Sequence, residues 1–131
     1  LRVEPFRLVT RSDRRAGTLA GYADADWVLA GPGSRMGAAA RHLCEAVGFT
    51  PRVITETDEH HITFHVVRRC GALSLLPELA LAELPADVLV DQDVDVALER
   101  RIELVTRRSM RTNPGVVALT DLLTDLLTPS G

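Results

Sequence analysis

The sequence predicts an α/β fold in which a mixed, mostly parallel sheet is flanked by helices. Three observations carry that prediction. Strand-like and helix-like segments alternate as β-α-β-α-β, with connections long enough for right-handed crossovers. The chain has 131 residues, about one domain by length, and can bury roughly two thirds of its unfolded surface. Its hydrophobic share is 46% and its charged share 25%, the balance of a folded chain rather than a disordered one. Aromatic residues make up only 4%, so the core falls to Leu, Val, Ala and Ile.

Each element follows from local pattern. Pro5-Phe6-Arg7-Leu8-Val9-Thr10 alternates apolar and polar residues, the period of a strand, and runs into a charged loop, Arg11-Ser12-Asp13-Arg14-Arg15. Residues 19–24 suit one helical turn. Trp27-Val28-Leu29-Ala30 is a short apolar run closed by Gly31-Pro32-Gly33, as in a buried strand ending in a tight loop. Ser34 stands where a helix N-cap belongs. The helix after it, residues 36–47, places Met36, Ala40, Leu43 and Val47 on one face, and Gly48 stops it.

Arg52-Val53-Ile54-Thr55-Glu56 is again strand-like, and Thr57 or Asp58 is expected to cap a second helix reaching Arg69, with Phe64 and Val67 inward. Ala72-Leu73-Ser74-Leu75-Leu76-Pro77 reads as a buried strand, followed by a helical turn over residues 77–82. Strands are then expected at residues 88–90, 94–96 and 101–106. A last helix from Pro114 to Leu127 carries the stripe Val116, Leu119, Leu123 and Leu126.

Composition excludes several functions. The net charge of -3 is too acidic for the whole chain to neutralise a phosphate backbone. All fifteen basic residues are Arg, which reflects coding composition. No apolar run approaches the roughly 18 residues of a membrane span, so no membrane partner is expected. Two cysteines, Cys44 and Cys70, are too few for a disulfide framework and suit a reducing, cytoplasmic compartment. No nucleophile elbow, P-loop or zinc-protease motif is present, so no enzyme is predicted. Asp91-Gln92-Asp93-Val94-Asp95 imitates a calcium loop without its Gly and terminal Glu, and is expected to be a solvated connection.

Four motifs in order carry a family resemblance. They are Gly21-Tyr22-Ala23-Asp24-Ala25-Asp26-Trp27-Val28; Cys44-Glu45-Ala46-Val47-Gly48-Phe49-Thr50-Pro51-Arg52-Val53; Glu56-Thr57-Asp58 with the run from Val67 to Pro77; and Arg101-Ile102-Glu103-Leu104-Val105-Thr106-Arg107 with the Pro114 helix. Together they resemble the effector-binding (substrate-binding) domain of LysR-type transcriptional regulators. Two departures stand out: Arg14-Arg15-Ala16-Gly17 replaces the family's His-Pro-Leu-Ala, and Cys70 replaces its helix-ending glycine, with Gly71 displaced by one.

The resemblance implies a type II periplasmic-binding-protein-like lobe. Residues 1–108 would be the second regulatory subdomain with both hinge strands, residues 5–10 and 101–107. Residues 109–131 would be a helix that packs on an absent first subdomain. The chain opens on Leu1-Arg2-Val3-Glu4-Pro5, straight into strand-like sequence, and reads as a piece of something longer. The expected partners are a small-molecule effector, anionic or carboxylate-bearing, and further copies as a dimer or tetramer. DNA would be bound only through an N-terminal helix-turn-helix absent from the chain. No cofactor is expected. The competing reading is the lobe of a transport-type periplasmic solute-binding protein; a third is a degenerate enzyme of the same fold.

The candidate ligand contacts lie at the carboxyl ends of strands, where α/β clefts form. Gly33, Ser34 and Arg35 open a helix whose N–H groups and dipole favour an anion. Thr57 is the better ligand contact of the next loop, with Asp58 a cap; His60 could make binding pH-sensitive, and Arg11 is a weaker candidate. His61 and His65 share a helix face, yet no further ligand completes a metal set, so no metal is predicted. Cys70 is expected at a buried helix end and Cys44 on a packed face, both structural.

Overall fold

The computed structural model describes residues 2–11, 17–94 and 96–128. The predicted loop at Ser12, Asp13, Arg14 and Arg15, the family departure through Ala16, and Asp95 in the strand expected at 94–96 lie outside the described residues. In chain order the regular elements are β1 (Arg2–Arg11), β2 (Asp26–Leu29), α1 (Arg35–Ala46), β3 (Arg52–Glu56), α2 (His60–Cys70), β4 (Ser74–Pro77), β5 (Val88–Val90), β6 (Glu99–Ile102) and α3 (Pro114–Leu127). Short 3-10 helices occupy Ala20–Tyr22, Glu78–Glu83 and Arg108–Met110. The chain divides into two compact units: Pro5–Glu99, and Leu1–Glu4 with Arg100–Gly131.

In the Pro5–Glu99 unit, β2 and β3 pair in parallel across the α1 crossover, and Leu73 bridges to Trp27 in the same sense. One residue later the same segment changes partner: β4 runs antiparallel to β1, with Leu8 opposite Leu75, and β5 flanks β1 on its other side, also antiparallel. The sheet is mixed, with a larger antiparallel share than alternation predicts. β1 follows no crossover helix, so nothing in the pattern sets its direction. The core lies in two clusters. One gathers Trp27, Leu8, Leu29 and Leu73 beneath Ala40 and Cys44 of α1; the other gathers Val9, Val28, Leu76 and Val88 beneath Phe64 and Val67 of α2.

Two local expectations need correction. On α1, Ala40 is buried and Met36 and Leu43 pack partly buried against the core as expected, joined by Gly37 and Cys44, but Val47 is exposed because the helix ends at Ala46. Neither Thr57 nor Asp58 is the cap of α2. The N-cap is Glu59, which makes no side-chain cap bond; Thr57 closes the turn by accepting from Glu59 N–H at 3.1 Å. Gly71 does end α2 in the left-handed region, at φ 66°, and so supplies the turn where Cys70 could not.

In the second unit, buried Glu4 forms ion pairs with Arg2 at 3.5 Å and with Arg100. A buried carboxylate persists only when paired in this way. The strand expected over 101–106 is shorter, Glu99–Ile102, with Val105 85% exposed. Phe6 N–H donates to Leu98 O, and Arg100 meets Glu4, so the pairing reaches the start of β1 by Ile102, and no strand continues it among the described residues. α3 matches its predicted bounds, begun by an Asn113 cap and Pro114, but buries no residue.

Candidate functional site

Parallel pairing puts the carboxyl ends of β2 and β3 side by side, and with them the N-termini of α1 and α2. Thr57 N–H donates to Leu29 O at 3.0 Å, which ties the second loop to the end of the first strand. Ser34 caps α1 as predicted. Its Oγ accepts from Gly37 N–H at 3.0 Å and donates to Gly31 O at 2.9 Å. That serine is therefore committed to the loop. The next two helical N–H groups, of Arg35 and Met36, find no acceptor among the described residues.

Gly37 explains how close the loop comes. A Cβ there would lie 2.1 Å from Gly31 O and 2.4 Å from Ala30 O, so α1 can start against this backbone only with glycine. Arg41, one turn further, holds the same loop from inside. Its guanidinium donates to Ala30 O at 2.7 Å, Gly37 O at 3.1 Å and Glu56 Oε1 at 3.2 Å. It thus links the two loops and neutralises the carboxylate that ends β3.

The predicted residues fall into two places. Gly33, Ser34, Arg35, Thr57, Asp58 and His60 share this one edge; Gly33, Ser34, Arg35, Asp58 and His60 are exposed, and Thr57 is half-buried. Arg11 is elsewhere. β1 runs antiparallel to β4, so its end lies at the opposite edge, where the Arg11 guanidinium would stand 3.5 Å from a Cβ on Gly71. It faces the C-terminal turn of α2 and is not brought together with the other candidates.

Sequence reasoning missed Arg41, Gly37 and the linking role of Glu56. The only signal was indirect, a glycine in the first turn of an Ala-rich helix and an arginine one turn on. Pro77 and Glu78 were also missed: Phe6 pairs with Pro77, so the end of β4 lies beyond that of the parallel bridge at Leu73, toward the same edge.

The other reactive groups sort by burial. Cys44 is fully buried, and burial, with a smaller contribution from the Glu45 charge, pushes its thiol up from 9.0 to about 11. Cys70, expected to be buried, is exposed, because Gly71 turns the chain inward only after it. His60, His61 and His65 are exposed on α2, and no group of three or more metal-binding side chains converges among the described residues. Asp91, expected to be solvated, is buried. It accepts from Tyr22 OH at 2.6 Å and from the N–H groups of Gly17 and Asp93 at 3.1 Å each, pinning two loops to the sheet.

Comparison with known proteins agrees with this architecture. The family described as LysR substrate binding domain matches residues 1–128. Among solved structures, the CcmR regulatory domain of Synechocystis PCC6803, in complex with 2-PG, is 18% identical with a TM-score of 0.75, covering 96% of this chain and 64% of that one. A mutant of OxyR from Corynebacterium glutamicum is 24% identical, TM-score 0.69, covering 95% of this chain and 42% of that one. An arginine-bound mutant of ArgBP from T. maritima is 14% identical, TM-score 0.58, covering 96% of this chain and 57% of that one. The chain thus spans less than two thirds of each of these structures. No curated protein sequence matches it. A family match that runs through nearly the whole chain, on a type II periplasmic-binding-protein-like fold, leaves one conclusion: the chain belongs to the LysR substrate binding domain family.

Proposed function

We propose that this chain is the effector-sensing part of a cytoplasmic LysR-type transcriptional regulator, non-catalytic, and that its ligand edge is the paired loops after β2 and β3. The observation that carries the reading is that juxtaposition: two helix N-termini with open N–H groups meet on one edge, with Arg35 making no ion pair among the described residues. Open helix N-termini and a guanidinium favour a carboxylate or phosphate, so the effector is a small anion. Arg41 supports that choice by neutralising Glu56, which would otherwise repel it. Gly33 admits the ligand to the backbone, Thr57 offers its hydroxyl, and His60 stands exposed at the start of α2 beside them. Arg11 has no part in this edge.

In the complete regulator the effector would bridge two subdomains and favour one hinge angle, and a dimer or tetramer would relay that angle to DNA-binding heads. The hinge strands would be residues 5–10 and 101–107, and residues 109–131 would pack on the first subdomain. The transport reading shares only the fold, whereas the family match favours the regulator.

A thermal-shift screen of small carboxylates on the complete regulator tests the reading, followed by titration of Ser34→Ala, Arg35→Gln and Thr57→Val. Arg35→Gln is expected to weaken binding about tenfold, as loss of one charge-assisted pair does. A hit whose affinity ignores all three substitutions overturns the site. A hit that leaves binding to promoter DNA unchanged overturns the regulator.

A further inference from the structure

A second candidate ligand site lies on the face of β1, lined by other residues than the paired loops after β2 and β3. Arg7 occupies a position where strand alternation predicts a solvated residue, yet it is half-buried. It shares its sheet face with Val9, which belongs to the core cluster bordered by Leu81 and Val90. β1 and β5 pair as Val9 with Val90 and Thr10 with Leu89; Asp91 N–H continues the ladder onto Leu8 O at 3.0 Å. The same register carried one step further sets Gln92 opposite Arg7. A cavity of about 320 Å3 opens there, lined by Arg7, Glu78, Leu81, Val90 and Gln92. That size is at the lower end of small-molecule pockets, roughly 300–1,000 Å3.

The guanidinium is the informative group. The Arg7 guanidinium makes no hydrogen bond or ion pair among the described residues. A partly buried guanidinium gives up hydration and ordinarily recovers it from a carboxylate. Here the cavity supplies two apolar side chains, one amide and a cation, with Glu78 as its one acidic member, a composition that suits an amphiphilic anion of a single charge. The larger groove on α2, lined by His65, Arg68, Arg69 and Asp87, differs in each respect. Arg68 is taken by Asp87 at 2.8 Å, and the groove lies over the C-terminal turns of a helix, where the dipole disfavours anions.

We propose that the Arg7 cavity binds a small monocarboxylate with an apolar tail, its carboxylate on the Arg7 guanidinium, its tail against Leu81 and Val90, and Gln92 hydrogen-bonding its head group. Glu78 at the rim excludes a second negative charge. None of its lining residues belongs to the loops after β2 and β3, although Glu78 stands toward the same edge of the sheet.

The test uses the 131-residue chain, labelled with nitrogen-15 and titrated with sodium hexanoate, with hexanamide and hexylamine as neutral and cationic controls. Hexanoate is expected to give saturable amide shifts at Leu81, Val90 and Gln92, with hexanamide and hexylamine at least tenfold weaker. Arg7→Gln should weaken hexanoate about tenfold, whereas Glu78→Gln, on an exposed side chain, should tighten it. The opposite signs distinguish a charge-reading site from simple destabilisation, and the amide spectrum of each variant reports its fold. Non-saturable shifts, equal shifts with hexanamide, shifts confined to residues 33–36 and 57–61, or an Arg7→Gln chain that binds unchanged would each overturn the proposal.

Discussion

Gly37 sits in the first turn of α1 with its Cα pressed on the loop that precedes the helix. Replacing it by Ala inserts a methyl within 2.4 Å of two carbonyl oxygens, an overpacking that should cost about 1–3 kcal/mol in a urea unfolding curve. Gly33→Ala is the control: no atom lies within 4 Å of its added Cβ, so stability should stay within about 0.5 kcal/mol. The cysteines separate by the same logic of access. At neutral pH an alkylating reagent should modify Cys70 in the native chain and Cys44 only after unfolding. The buried thiol also sets a pH dependence. Its folded pKa of about 11 lies above the unfolded 9.0, so between those values the unfolded chain releases the proton first. Stability is therefore complete below pH 9 and falls as pH rises from 9 to about 11. Cys44→Ala should flatten that part of the unfolding midpoint against pH.

Among the elements, α3 is the least supported. Its 14 residues include no buried side chain, with Leu119 55% and Leu126 68% exposed. Isolated helices of about 12–15 residues are marginal in water, so α3 depends on its ends. Asn113 accepts from Gly115 and Val116 N–H at 3.0 and 3.2 Å, and Pro114 removes one orphan donor. Amide exchange in α3 should be fast while β1 and β4, at the centre of the sheet, stay protected. Asn113→Ala should lower helicity further, at a cost of about 1 kcal/mol to the helix. Slow exchange throughout α3 would refute the account of it as self-supported.

For the whole molecule, the proposed function makes a quantitative demand. An effector that bridges two subdomains meets one wall in this chain, so its affinity here should be at least about tenfold below that of a complete regulatory domain. Calorimetric titration giving equal affinities would show that a single lobe holds the ligand, and the bridging mechanism would fall.

Much of this was legible from local pattern. Ser34 before an Ala-rich run announced a cap, Gly48 and Gly71 announced helix ends, and the Val and Leu runs announced buried strands, because each signal acts within a few residues. Four motifs in order identified the family, and six of the seven ligand candidates fall on one edge because parallel strands end together. What no local pattern held was direction and register. β1 could have run either way; its antiparallel pairing alone sends Arg11 to the far edge, half-buries Arg7 against Val90, and lets Glu4 meet Arg100. The same is true of Arg41, whose three acceptors are brought to it by folding, and of Asp91, solvated in expectation and buried beside Tyr22 in fact. Chain chemistry within one turn or one strand decided which elements form, whereas long-range pairing decided which side chains meet, since only the folded sheet brings residues distant in sequence within hydrogen-bonding range.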